Sequence, residues 1–142
     1  YKKFLELNNN TSARIRYVGF LLQAKKYKEA VTEGEALLAK GSKDLYLYRY
    51  LGYAYYENKV KDKAAKKEEH SKGLENIRAF FKLAEDQGVK TIAKDYGYLG
   101  KLMIKTGADS LGFIELKKAL ELKPNDRDLI TDLAKMYARS KK

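Results

Sequence analysis

The sequence predicts an all-α fold, an α-solenoid of antiparallel helix pairs that stack along the chain. One observation is a recurring pattern, in which a large residue is followed three positions later by an apolar residue and a small one. The small residue is Gly19, Gly52, Gly100 or Ala134 in its four copies. A second observation is that apolar residues around each copy return every three or four positions, the spacing of one helix face. Composition is the third, because one Pro and ten Gly in 142 residues argue against a turn-rich β fold.

The first predicted helix pair follows Thr11 and Ser12, which are suitable N-caps. Its first helix reaches about Ala24 and carries the apolar residues around Gly19. A short polar turn separates it from a second helix at about 27–38. That helix is expected to end at Gly41, because Gly favours the left-handed conformation found at helix C-termini.

The second predicted pair begins at Asp44, a good N-cap for the helix that contains Gly52. Its partner helix should contain the apolar residues between Leu74 and Ala84 and end at Gly88. The third pair starts at Thr91 or Asp95, turns at Gly107, and its second helix covers 110–122 before Pro124. A final helix, capped by Asn125 or Asp126, is still amphipathic at the last residue.

The ends of the sequence also fit repeats. Residues 1–10 resemble residues 116–125, which predicts the last turns of a helix and the loop that stops it. We therefore expect the chain to open and close inside a repeat and to be a segment of a longer protein.

A polar insertion interrupts the regular spacing. Leu51 and Leu99 lie 48 positions apart, whereas Leu99 and Leu133 lie 34 apart, and most of the excess falls in 57–73. This segment has few apolar residues but several acid–base pairs four positions apart, an arrangement that supports an exposed helix. We expect a solvated protrusion in which two helices pass the edge of the solenoid and turn near residues 70–73. A partly disordered loop and a basic docking element remain alternatives.

The repeated pattern resembles the tetratricopeptide repeat (TPR). The matching residues in the third unit are Leu99-Gly100, Met103, Gly107, Gly112, Leu116 and the run from Ala119 to Pro124, with Tyr27, Ala30, Leu51-Gly52 and Tyr55 in the others. The resemblance implies one domain over 1–142, a right-handed superhelix of about three full repeats flanked by half repeats. The implied units are the end of a preceding repeat at 1–10, repeat 1 at 11–43, repeat 2 at 44–91 with the insertion at about 57–73, repeat 3 at 92–125, and the first helix of a further repeat or a cap at 126–142. Gly34 departs from the family, which has a bulky residue there, and predicts looser packing.

Catalysis is not expected from these residues. The chain has no Cys and one His, His70, which lies in the polar insertion without a second imidazole or thiolate to complete a transition-metal site. No glycine-rich phosphate loop follows a predicted strand. The sequence therefore predicts a protein that is not an enzyme and that uses no metal or cofactor.

The family resemblance also suggests a binding surface, because one stripe of each first helix lines the concave side of such a solenoid. The residues in that register are Arg16, Phe20, Tyr46, Arg49, Tyr53, Tyr56 and Lys101. Aromatic residues with Arg are typical of interaction hot spots. A branch of the family that clamps a C-terminal carboxylate needs Asn where this chain has Phe20 and Tyr53, so that activity is not implied.

A net charge of +11 favours acidic partners. We expect a protein–protein interaction module that binds a peptide or partner protein in a basic, aromatic concave groove. A nucleic-acid-binding helical repeat is one alternative, although acids interrupt the basic residues and make it the weaker one. An assembly or spacer segment that self-associates through its ends is the other. No apolar run is long enough to span a membrane, and the Lys- and Tyr-rich repeats resemble family members of the bacterial cell envelope or periplasm.

Overall fold

The computed structural model describes residues 11–59 and 62–140, and all regular elements in these ranges are helices. They are α1 (Thr11–Gln23), α2 (Tyr27–Ala39), α3 (Leu45–Glu57), α4 (Lys63–Gln87), α5 (Ala93–Lys105), α6 (Asp109–Leu122) and α7 (Arg127–Ser140). The predicted all-α fold is confirmed. The helix end predicted within residues 1–10, Val60 and Lys61 of the insertion, and the last two residues lie outside the described ranges.

Three hydrophobic clusters hold the helices together, and each draws on consecutive helices. Val18 and Leu37 join Leu51 in the first cluster, which links α1, α2 and α3. Phe80 and Leu102 belong to the second, which links α3, α4 and α5. The third links α6 and α7 with partly buried residues of α5. Each helix pair therefore completes its core with the next helix along the chain, as expected for a repeat protein.

Glycines allow the closest helix contacts. A Cβ on Gly100 would lie 2.7 Å from the carbonyl oxygen of Gly112, so the backbones of α5 and α6 meet where no side chain fits. Gly34 brings the backbone of α2 against a side chain of α3, because a Cβ there would lie 2.5 Å from Cδ2 of Leu51. The looser packing predicted at Gly34 is therefore wrong, since Leu51 fills the space that a bulky residue would need.

Several predicted helix ends are confirmed. The Asp44 carboxylate accepts a hydrogen bond from the Tyr46 N–H at 2.8 Å, as an N-cap does. Gly88 and Gly107 have φ angles of 67° and 99° in the turns that follow α4 and α5. At the start of α7, Asp126 accepts from two backbone N–H groups. These local signals set the lengths of the helices.

The polar insertion is structured differently from the prediction. No turn occurs at residues 70–73, because they lie inside α4, a helix of 25 residues capped by Asp62 through the Ala64 N–H at 2.9 Å. His70 is buried, with its ring 5.6 Å from that of Tyr56. Gly73 is a packing residue rather than a helix stop, since a Cβ there would lie 2.9 Å from that of Tyr55.

The protrusion is consequently one overhanging helix rather than two. Helix α3 ends at Glu57, and the Asn58 side-chain amide donates to the carboxylate of Glu69 at 3.1 Å. Because α3 and α4 are antiparallel, residues 63–68 extend past the end of α3.

None of the helices in the described ranges has the length and apolarity needed to cross a bilayer.

Candidate functional site: an aromatic and basic face

The site is a surface formed by α3 and α5, which we call the aromatic–basic face. On α3 its residues are spaced by three and four positions and so share one side of the helix. On α5 the same spacing recurs. The members are Tyr46, Arg49, Tyr53 and Tyr56 on α3, and Lys94, Tyr98 and Lys101 on α5.

A buried carboxylate, Asp95, joins the two helices beneath this face. It has no solvent exposure, and it accepts hydrogen bonds from Nε and Nη2 of Arg49, each at 3.0 Å. The Tyr53 hydroxyl also donates to it, as does the backbone N–H of Ile92 at 2.9 Å. Paired, charge-assisted bonds of this kind are strong and fix geometry. Asp95 therefore connects the second helix pair to the third.

The Arg49 guanidinium is held by rings as well as by the carboxylate. Its Cζ lies 4.4 Å from the ring centre of Phe80 and 5.7 Å from that of Tyr46. Contacts of a cation with aromatic faces at these distances are attractive, and more so when water is excluded. The side chain of Arg49 is only 15% exposed. The charge of Arg49 is thus engaged by Asp95 and is not available to a ligand. The neighbouring Tyr46 remains 42% exposed.

Three tyrosine rings continue the face from α3 to α5. Tyr53 and Tyr98 stack with ring centres 4.2 Å apart, and Tyr56 meets Tyr98 edge-on at 5.7 Å. Burial, more than nearby acids, raises the pKa of Tyr53 and Tyr98, and it raises that of Tyr56 to about 12. All three hydroxyls therefore keep their protons at neutral pH, and those of Tyr53 and Tyr98 donate hydrogen bonds to Asp95 and Glu57.

Lysines of α5 cover these rings. The Lys101 ammonium lies 4.9 Å from the ring centre of Tyr56 and 4.7 Å from that of Tyr98, and it pairs with Asp132 of α7 at 3.6 Å. Lys94 lies 5.4 Å from the ring centre of Tyr53. Beyond them, a cleft of about 280 Å³ between α5 and α7 carries lysines and three aspartates on its walls. Asp132 offsets part of the positive charge predicted at Lys101.

The predicted binding residues separate into two groups. Tyr53 is only 4% exposed, so its predicted place on an open groove wall is wrong: α5 covers it with Tyr98 and Lys94. Arg49 is likewise committed to Asp95. The accessible members are Arg16, Phe20, Tyr46 and, in part, Tyr56 and Lys101. The ring of Phe20 is 52% exposed and stacks on Tyr17.

Sequence reasoning missed two residues of the site, Tyr98 and Asp95. Tyr98 could have been found, because it lies four positions after Lys94 and three before Lys101, on the same stripe of α5. The sequence predicts Asp95 only as an alternative to Thr91 for the start of the third helix pair. Asp95 does accept the Ile92 N–H, but no sequence signal pairs it with Arg49, which lies 46 positions earlier.

The described residues provide no arrangement suited to holding a metal ion. No group of three or more His, Asp or Glu side chains within 11–59 and 62–140 is arranged to hold a metal ion. The one histidine, His70, is buried against Tyr56, and burial, followed by the charges of Lys105 and Lys66, lowers its pKa. The aromatic–basic face thus offers rings, hydroxyls and ammonium groups for binding.

Comparison with known proteins identifies the fold. No protein-family model and no curated protein matches the sequence. Among solved structures, the C-terminal part of a TPR repeat-containing protein from Cytophaga hutchinsonii matches with a TM-score of 0.71 and 25% identity, over 89% of this chain and 45% of that one. MamA from Desulfovibrio magneticus matches with a TM-score of 0.60 and 25% identity, over 89% of this chain and 64% of that one.

A TPR protein from Thermus thermophilus matches over 96% of this chain and 87% of its own, with a TM-score of 0.53 and 17% identity. The chain thus spans less than two thirds of the first two solved chains. The resemblance to TPR proteins predicted from the sequence is confirmed, and the fold is that of a TPR array. These neighbours support a helical-repeat protein-interaction module.

Proposed function

We propose that the chain is a non-catalytic module that binds an extended peptide or a surface segment of a partner protein along its first helices. The observation that carries the proposal is the pairing of exposed aromatic side chains with a rigid, buried support. Phe20 and Tyr46 are about half exposed on α1 and α3. Tyr46 rests beside Arg49, which Asp95 holds in place.

The repeat register supports a continuous surface. When Gly19 is aligned with Gly52, Arg16 and Phe20 occupy on α1 the positions of Arg49 and Tyr53 on α3. The Tyr50 ring lies against Gly19, since a Cβ there would be 3.0 Å from it, so α1 and α3 approach closely at this point. A ligand on Phe20 and Tyr46 would continue toward Tyr56 and the α5 lysines.

Rigidity favours affinity at such a surface. Ordering a flexible side chain on binding costs about 0.5–1.5 kcal/mol, and Tyr and Phe lose little because they have few rotatable bonds. The ammonium of Lys101 and the net charge of the chain favour an acidic partner. Because Lys101 already contacts Asp132, a carboxylate of the ligand would have to compete with that pair.

A peptide-display selection against the whole chain tests the proposal. Selected peptides should lose binding to a Phe20→Ser, Tyr46→Ala double variant. They should keep it with Leu111→Ser, Ile114→Ser, which removes two exposed apolar side chains from α6 instead. Circular dichroism confirms that each variant is folded. Equal binding to both double variants would refute the proposed surface.

A single-stranded oligonucleotide gives the second arm of this experiment. Stacked tyrosines and lysines also suit nucleic-acid bases and phosphates. If the oligonucleotide is retarded in a gel at about 150 mM salt, and the Phe20 and Tyr46 variant abolishes the retardation, the ligand is a nucleic acid and not a protein. We expect no retardation, because Asp132 and the neighbouring aspartates interrupt the positive charge.

A further inference from the structure

A separate recess lies where α5 begins and α6 ends. Its walls are the connection into α5 and the C-terminal end of α6, and its volume is about 420 Å³. The lining residues are Lys90, Thr91, Ile92, Ala93, Lys94, Leu122 and Lys123. Ile92 is 47% exposed and Leu122 is 56% exposed, so two large apolar side chains face solvent across the same recess. Together they form a small apolar patch, unlike apolar side chains scattered singly over a surface.

The charged residues that line the recess itself are all lysines. Lys90, Lys94 and Lys123 line it, and no carboxylate is among its lining residues. The nearest buried acid, Asp95, is already paired with Arg49 and so adds little negative potential. Lys94 and Lys123 also line the neighbouring cleft between α5 and α7, where three aspartates lie on the other side of them, whereas Lys90 lines the recess alone. Within the part of the chain that the structure describes, the recess is thus an apolar surface framed by ammonium groups.

We propose that this recess is a docking site for an acidic protein segment that carries one bulky apolar side chain. The apolar side chain covers Ile92 and Leu122, and carboxylates on either side of it meet Lys90, Lys94 and Lys123. Charge complementarity selects the acidic segment, and removal of apolar surface from water supplies affinity. The site borders the binding surface proposed above and shares Lys94 with it, but Lys90, Leu122 and Lys123 belong to the recess alone.

The shape of the site favours a peptide over a lipid bilayer. Basic residues around apolar ones also occur on proteins that bind anionic membranes. A bilayer, however, is entered by apolar side chains that project from the surface. Here Ile92 and Leu122 line a shallow recess of about 420 Å³, which one bulky side chain and its flanking peptide can occupy and a flat bilayer cannot enter.

Fluorescence polarisation with a labelled synthetic peptide tests the proposal. The probe has a Phe flanked on each side by two Glu, with Gly at both ends. Two variants remove the site: Leu122→Ser removes the apolar wall, and Lys90→Gln with Lys123→Gln removes two charges. Their matched controls are Leu111→Ser, and Lys117→Gln with Lys135→Gln, which change exposed residues outside the recess and remove the same number of charges.

We expect saturable binding by the unaltered chain, weakened about ten-fold or more by each site variant and unchanged in each control. Raising the salt from about 50 to 500 mM should weaken binding further, since the paired charges are exposed. A peptide with Ser in place of Phe, and one with Lys in place of Glu, should both bind weakly. Circular dichroism of each variant separates lost binding from lost structure.

Three results would overturn the inference. One is no saturable binding, and another is equal binding to the site and control variants. The third is binding of phosphatidylserine vesicles, lost in the site variants, when the peptide does not bind. The Phe20→Ser, Tyr46→Ala variant separates this site from the proposed function: it should bind the probe normally. If it alone loses the probe, the peptide occupies that surface and the recess is not the site.

Discussion

Removal of the Asp95 carboxylate should destabilise the fold far more than removal of an exposed acid. Asp95 has no solvent exposure and accepts bonds from Arg49, Tyr53 and the Ile92 N–H. In Asp95→Ala the Arg49 charge loses its partner within a site that is largely closed to water. Breaking a buried ion pair from one side typically costs about 3–5 kcal/mol.

The expected magnitude lies at the lower end of that range. Because the side chain of Arg49 keeps 15% exposure, water can partly solvate the orphaned guanidinium. We expect the free energy of unfolding to fall by about 3 kcal/mol in Asp95→Ala. In Asp95→Asn we expect about 2 kcal/mol, because one oxygen remains to accept a bond. The exposed Asp109, in the first turn of α6, provides the control: Asp109→Asn should change stability by less than about 0.5 kcal/mol.

Urea titration followed by far-ultraviolet circular dichroism measures these differences, with the slope of each transition checked for a single cooperative step. A loss of less than about 1 kcal/mol in Asp95→Ala would refute the role given to this carboxylate. A double-mutant cycle adds a second criterion. Arg49→Met leaves the buried Asp95 with its Tyr53 and Ile92 hydrogen bonds but without its cationic partner, so it should be costly, whereas Arg49→Met with Asp95→Leu should recover much of the loss. Simple additivity of the two single changes would show that the residues do not interact.

Two further predictions concern α5 and α4. Gly100→Ala should destabilise the fold by about 2 kcal/mol, because its Cβ would lie 2.8 Å from Cγ of Leu116 and closer still to the α6 backbone. In Gly97→Ala, on the same helix, the new Cβ meets only Leu129 at 3.2 Å, so helix propensity should leave the urea midpoint equal or higher. The pKa of His70 is lowered by burial and then by two lysines, so below a pH of about 6.5 the unfolded chain binds a proton that the folded chain does not. The urea midpoint should therefore fall between pH 7.5 and pH 5 more steeply in the unaltered chain than in His70→Gln; equal slopes would contradict a protonation penalty at His70.

Most of the fold could be predicted because its signals are local. Asp44 and Gly88 mark helix ends by capping chemistry alone, and the apolar spacing between them gives the faces that pack. The prediction for the insertion was wrong because a glycine such as Gly73 can indicate either a turn or a close contact between helices. It was interpreted as a turn, but the space it leaves is filled by Tyr55 and Leu102 from two other helices. Asp62, which does cap α4, was the local signal that could have located the turn correctly.

The site was less predictable, because exposure depends on the neighbouring helix. The register correctly grouped Arg49, Tyr53 and Tyr56 on one side of α3. It could not show that Asp95 would bind two of them or that Tyr98 would stack on Tyr53. These contacts join residues more than 40 positions apart, and the sequence pattern carries no information about such pairs.

The unequal length of α4 bears on how the chain assembles. Tandem units that resemble one another can dock in the wrong order or exchange between molecules while they fold. At 25 residues, α4 is about 38 Å long, roughly twice the length of the 13-residue α3 beside it. His70 and Gly73 fit against Tyr56 and Tyr55, a combination that α1 and α5 do not offer. The length and contacts of α4 therefore distinguish the second unit from its neighbours, which should disfavour misaligned docking of the repeats during folding.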